Sequence, residues 1–164
     1  MADGAYELLP DDVEPVRDRL LERALGRLML VWPVMEHNVE VMIWSLLKVS
    51  ASEGMHLTTR MDIGTRCDLL TATAKRIADS KLKAKITANA KQIKEMLPAR
   101  NDMMHGLWVR ERTGATYVVS LRRAKDGRIY PRRITTKFVL AHVHDSISIS
   151  KALAAASRML EARR

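Results

Sequence analysis

The sequence predicts a mainly α-helical fold, a bundle of four to five helices with a β-hairpin inserted before the last helix. Three observations carry that prediction: a long seven-residue apolar repeat near the start, two further amphipathic stretches, and a switch to β-rich, turn-containing sequence after Gly106. In the first stretch, Leu21, Leu25, Leu28, Trp32, Met35, Val39, Met42 and Leu46 recur at alternating steps of four and three, which lays one seam along a helix. Leu20, Ala24, Val31 and Ile43 widen that seam, as burial in a bundle requires. Asp11 and Asp12 are candidate N-caps, Pro33 predicts a kink or break, and the helix should end near Ser52–Gly54.

Thr58 and Thr59 are candidate caps of the next helix, whose seam is Ile63, Cys67, Leu70, Ala74 and Ile77 and which should stop near Asp79–Ser80. Leu82, Ile86, Ala90, Ile93 and Leu97 mark a third helix, with Lys81, Lys83, Lys85, Lys91 and Lys94 on its solvated face. Pro98 should kink or restart it, and Gly106 fits a C-terminal stop. Residues 115–121 then read as a strand, Lys125-Asp126-Gly127 as a turn, and residues 128–135 as a partner strand that Pro131 confines to an edge. Thr136 is the expected cap of a last helix over 137–162. Its seam is Phe138, Ala141, Asp145, Ser148, Ala152, Ala155 and Met159. Residues 1–10 read as a flexible N-terminal segment and 11–164 as one domain, in keeping with 164 residues.

Composition narrows the function classes. The formal charge is +9, but residues 1–55 carry net −5 and residues 56–164 net +14, so any surface for an anionic partner belongs to the later part. Cys67 is the lone thiol, which excludes an intramolecular disulfide and a cysteine-rich zinc site. The first ten residues lack the basic start and apolar run of a cleavable signal, and the longest apolar stretch, Leu28 to Met35, is far short of the roughly 20 residues a bilayer needs. The expectation is a cytoplasmic protein with no membrane partner. There is no Gly-rich phosphate loop, nucleophile elbow or metal-protease motif. His142 and His144 lie about 200° apart on a helix and make poor joint ligands, so neither a metal nor another cofactor is expected.

One segment concentrates chemistry: Arg100-Asn101-Asp102-Met103-Met104-His105-Gly106, at the end of a predicted helix. Asn101 and His105 are four apart and share a helix face, so the amide is placed to orient the ring; Arg100 sits about 140° round from His105. An imidazole titrating near neutral pH can take the proton of an RNA 2′-hydroxyl, and a guanidinium can neutralise charge growing on the phosphorus. The residue types suit RNA cleavage without a metal. The bland alternative is a helix end stabilised by cations near its negative pole.

The RNxxxHG segment, with Met96-Leu97-Pro98-Ala99 before it, Trp108 after it and a long first helix carrying Glu36, resembles the signature of the HEPN superfamily, all-α domains typified by prokaryotic toxin and antiphage ribonucleases. The layout is similar over about residues 15–162, and the specific part spans residues 100–106. The resemblance implies a HEPN-like four-to-five-helix bundle, a homodimer or heterodimer that sets two motifs across one cleft, and metal-independent endoribonuclease activity with Arg100, Asn101 and His105 as catalytic residues. It also implies RNA as substrate and leaves room for an antitoxin or other protein partner. The alternative within the same resemblance is a catalytically silent module that binds RNA or a protein. The hairpin is not general to that family; its cations Arg110, Arg112, Arg122, Arg123, Lys125, Arg128, Arg132 and Arg133 are the expected RNA contacts.

Overall fold

The computed structural model describes residues 18–110, 114–120 and 131–162. Five helices, α1 (Arg19–Leu47), α2 (Ala51–Thr58), α3 (Ile63–Ala74), α4 (Ser80–His105) and α5 (Thr136–Glu161), enclose one core. Three strands, β1 (Leu107–Arg110), β2 (Thr116–Val119) and β3 (Pro131–Arg133), form an antiparallel sheet in that order between α4 and α5. None of the described helices is long and apolar enough to cross a membrane.

The first seam is buried as expected: Leu21, Leu28, Trp32, Met35, Val39 and Met42 are in the core, with Leu25 and Leu46 packed against it. Leu20, expected to widen the seam, is instead 66% exposed. The N-cap is Asp18, whose Oδ1 accepts from the amides of Leu20 and Leu21; Asp11, Asp12 and the N-terminal segment 1–10 lie outside the described residues. Helix α1 runs unbroken through Pro33, because that residue sits on the exposed face where solvent can satisfy the carbonyl its missing N–H leaves, while Trp32 and Met35 stay anchored in the core. The helix ends at Leu47, earlier than expected, with Lys48 in the left-handed region at φ 59°. The next turn, α2, begins with a capping box. Ser50 Oγ accepts the Glu53 amide, and Glu53 in return accepts from the Ser50 amide at 2.9 Å.

Helix α3 is capped by Asp62, not by Thr58 or Thr59, whose hydroxyls donate back to the carbonyls of Gly54 and Met55 and close α2. It stops at Ala74, earlier than expected, though Ile77 is still buried. Asp79 caps α4, which continues past Pro98, again on the exposed side. Residues expected as a two-stranded hairpin belong to a three-stranded sheet, since Leu107–Arg110 joins as β1; the expected turn lies outside the described residues. Pro131 does occupy an edge strand, where no ladder amide is required of it.

Thr135, one residue before the expected cap, accepts the Phe138 amide at the start of α5. The buried stripe of α5 is Val139, Val143, Ser146, Ile149, Leu153 and Ala156, rotated from the expected seam; Met159, assigned inward, is 47% exposed. Asn38 Nδ2 donates to Ser150 Oγ at 2.6 Å, and the Ser45 and Ser157 hydroxyls meet at 2.7 Å. Both contacts advance by seven residues in the same direction on the two helices. Helices α1 and α5 therefore pack in parallel, with a polar pair once per heptad.

Candidate functional site

The segment singled out in the sequence forms the last turns of α4, and the sheet covers them. A groove of about 800 Å³ opens beside this turn, lined by Lys94, Leu97, Pro98, Asn101, Asp102, His105, Gly106 and Leu107 of α4 and β1, and by Val119 and Ser120 at the end of β2. Asn101 and His105, four residues apart on one helix face, both line it and are exposed.

Arg100 points elsewhere, as its angular offset from His105 demands. Its guanidinium carbon lies 5.4 Å from the centre of the Trp32 ring, a cation–π contact, and its Nη1 donates to Asn101 Oδ1 at 3.1 Å. Its Nε is buried with no hydrogen-bond partner among the described residues. Trp32 is in turn fixed by donation from its indole N–H to Glu36 Oε1 at 2.6 Å. The guanidinium is thus held between α1 and α4, and the Asn101 amide oxygen serves Arg100 rather than the His105 imidazole.

Asp102, an unassigned position within the motif, is among the most buried charged side chains, 5% exposed. It continues the core stripe Met96–Ala99 by one more step of three, so the helix carries the carboxylate inward. Arg132 Nε of β3 donates to Asp102 Oδ2 at 3.0 Å. The ladder explains how a strand 30 residues away reaches it. Trp108, Val118 and Arg132 are successive cross-strand partners and so share one face of the sheet. All three meet the end of α4: Trp108 Nε1 donates to the Met103 carbonyl at 3.2 Å, Val118 Cγ2 packs over Gly106, and Arg132 takes Asp102.

Gly106 therefore stops the helix for a different reason than expected. Its φ of −83° is open to any residue, but an added Cβ would lie 2.6 Å from the Asp102 carbonyl and from Val118 Cγ2. Close approach of the Asp102 carbonyl and of β2, not left-handed freedom, requires glycine here.

The expected RNA-contact cations divide. Arg110 and Arg133 are exposed, with Arg133 on the sheet face opposite Arg132, while Arg132 is 35% exposed and engaged with Asp102. Arg112, Arg122, Arg123, Lys125 and Arg128 lie outside the described residues. Lys94, assigned to plain solvation, lines the groove; its ammonium donates to Asp68 Oδ1 at 2.6 Å, a hydrogen bond that raises its pKa. Trp32, Lys94, Asp102 and Trp108 are the site residues that sequence reasoning did not assign to the site. For Asp102 a signal existed, since a carboxylate continuing a core stripe calls for a buried partner. Among the described residues no group of three or more His, Cys, Asp or Glu is arranged to hold a metal ion.

No protein-family model, curated protein or solved structure matches the chain.

Proposed function

We propose that this chain is a HEPN-type, metal-independent endoribonuclease that works in the cytoplasm as a homodimer, in the manner of a toxin or antiphage component answered by an antitoxin or other protein partner. The observation that carries the reading is the groove at the end of α4, into which Asn101 and His105 face together, one residue from an Arg100 guanidinium hydrogen-bonded to Asn101. In this reading His105 takes the proton of a 2′-hydroxyl as that oxygen bonds to the adjacent phosphorus. The P–O5′ bond breaks, the leaving oxygen gains a proton from water, and a 2′,3′-cyclic phosphate and a 5′-hydroxyl remain. Asn101 offsets charge on the phosphoryl oxygens, and because Arg100 points away from His105 within one protomer, the guanidinium at that groove comes from the second motif that the dimer sets across the cleft. Arg133, exposed on the sheet face that carries the groove-lining Leu107 and Val119, holds the flanking backbone.

The test is cleavage of mixed single-stranded RNA by the purified chain and by His105→Ala. General acid–base assistance is worth roughly 10²–10⁴-fold, so the variant should lose at least about 100-fold. Equal cleavage by both proteins sinks the reading. A second reading, a catalytically silent module that binds RNA or a protein, is favoured by one specific observation: Arg100 is already committed to Trp32 and Asn101. It predicts RNA or protein binding by the chain with no cleavage at any pH.

A further inference from the structure

The sheet is gripped to the end of α4 by a row of three cross-strand partners, and the row's polar member meets a buried carboxylate inside the motif. We infer that Arg132 is a positioning residue of the proposed site, acting through Asp102 to hold the turn that carries Asn101 and His105 toward the groove. The inference rests on the ribonuclease reading for its kinetic consequence, though not for its structural one.

Three features lead there. Asp102 lies between the two groove residues in sequence, one position after Asn101 and three before His105, so a tilt of this turn moves both. The turn is the last of its helix, where carbonyls lack further intrahelical donors and the chain frays unless held. Two of the row's contacts are directional: the Trp108 indole on the Met103 carbonyl fixes the backbone, and Arg132 Nε on Asp102 Oδ2 fixes the side chain beside it. Val118, between them, supplies contact over Gly106 but no direction.

Arg132 is also an unsuitable cation to leave the sheet for a phosphate. The Asp102 carboxylate is 5% exposed, and removal of the guanidinium would take a 3.0 Å charge-assisted hydrogen bond from a buried charge. Its place is structural support for the chemistry, while Arg133, on the other face of the sheet, is exposed. A shift of about 1 Å at a reacting group costs on the order of 100-fold in rate. Loosening the turn should therefore lower kcat by roughly 10- to 100-fold while KM changes by less than about threefold.

The experiment compares the wild-type chain with Arg132→Ala, Arg132→Lys and a double variant, Arg132→Met with Asp102→Leu. The double variant replaces the ion pair by apolar side chains and keeps the fold testable if the single variant unfolds. Two readouts are taken: RNA cleavage kinetics and the NMR signals of the His105 ring. The expected result is a lower kcat in Arg132→Ala and in the folded double variant, partial rescue by Arg132→Lys, and shifted or broadened His105 signals. Wild-type kcat together with unmoved His105 signals in the folded double variant overturns the inference, as does a loss confined to KM. If the wild-type chain itself cleaves no RNA, the ribonuclease reading fails, and the His105 signals alone decide whether Arg132 positions the turn.

Discussion

Adding one methyl group should have opposite effects at two glycines of this chain. At Gly106 an alanine Cβ would sit 2.6 Å from the Asp102 carbonyl oxygen, 2.6 Å from Val118 Cγ2 and 2.9 Å from the Val119 carbonyl oxygen. Ordinary contacts begin near 3.4 Å, and two of the three opposing atoms are backbone, which cannot rotate away. One of them, the Asp102 carbonyl of α4, already accepts the Gly106 amide at 2.8 Å, so relief requires both the helix end to shift and β2 to lift from it. Overpacking typically costs 1–3 kcal/mol, and these contacts place Gly106→Ala at the upper end, about 3 kcal/mol. For a chain of this size each 1 kcal/mol moves Tm by roughly 2–4 °C, so a fall of about 6–12 °C is expected. At Gly26, inside α1, nothing lies within 4 Å of the added carbon. Alanine there should stabilise by up to about 1 kcal/mol through helix propensity alone. The assay is thermal unfolding of both variants followed by far-ultraviolet circular dichroism. Equal shifts of the same sign, or a Gly106→Ala Tm within about 2 °C of wild type, would refute the argument that contact rather than backbone conformation fixes this glycine.

Two further expectations concern ionisable groups. The buried Cys67 thiol is pushed up to about 12, mainly by desolvation and then by the neighbouring Asp68, so at pH 8 it is thiol rather than thiolate. It should not react with an aromatic disulfide reagent in the folded protein and should react promptly in concentrated guanidinium; rapid native labelling would contradict its burial. Glu53 has its pKa lowered by the Ser50 hydroxyl and then the Ser50 amide, and Asp62 has its pKa lowered chiefly by the Thr65 amide. Because both folded-state values lie below the unfolded ones, their stabilisation is present above the unfolded carboxylate range and is lost as pH falls through the folded values. The Glu53→Gln, Asp62→Asn double variant keeps both caps' hydrogen-bonding shape, so its Tm should fall less steeply than wild type below about pH 5. An unchanged slope would show that these caps do not contribute to acid sensitivity.

How much of the fold the sequence carries depends on how strongly each position discriminates inside from outside. The α1 seam is legible because its positions are Leu, Trp, Met and Val, whose burial each contributes on the order of 1.5–3 kcal/mol. The α5 seam is misread because many of its candidates are Ala and Ser, which weigh little on either face; the rotation is decided by Val139, Val143, Ile149 and Leu153. Caps are the other source of error. Ser50–Glu53 is a capping box that the periodic reading of the first helix runs through, and Asp62 outcompetes Thr58 and Thr59, whose hydroxyls can bond backward to their own helix. Strand β1 escapes notice because four residues directly after a helix carry too few alternations to register as a strand.

The site is less legible than the fold for a related reason: spacing along a helix tells which side chains share a face, but not what waits on the other faces. The 140° between Arg100 and His105 follows from helix geometry alone. That Arg100 finds Trp32, and that Asp102 finds Arg132, depends on packing between segments about 70 and 30 residues apart. The consequence reaches back to the charge balance. The net +14 of residues 56–164 counts Arg132 as a cation offered to a polyanion, yet its Nε is spent on a carboxylate one turn from His105. Arg110 and Arg133 are exposed, on opposite faces of the sheet. The same class of side chain therefore takes two environments within one strand: Arg132 faces the helix and meets Asp102, and its neighbour Arg133 faces away and is exposed.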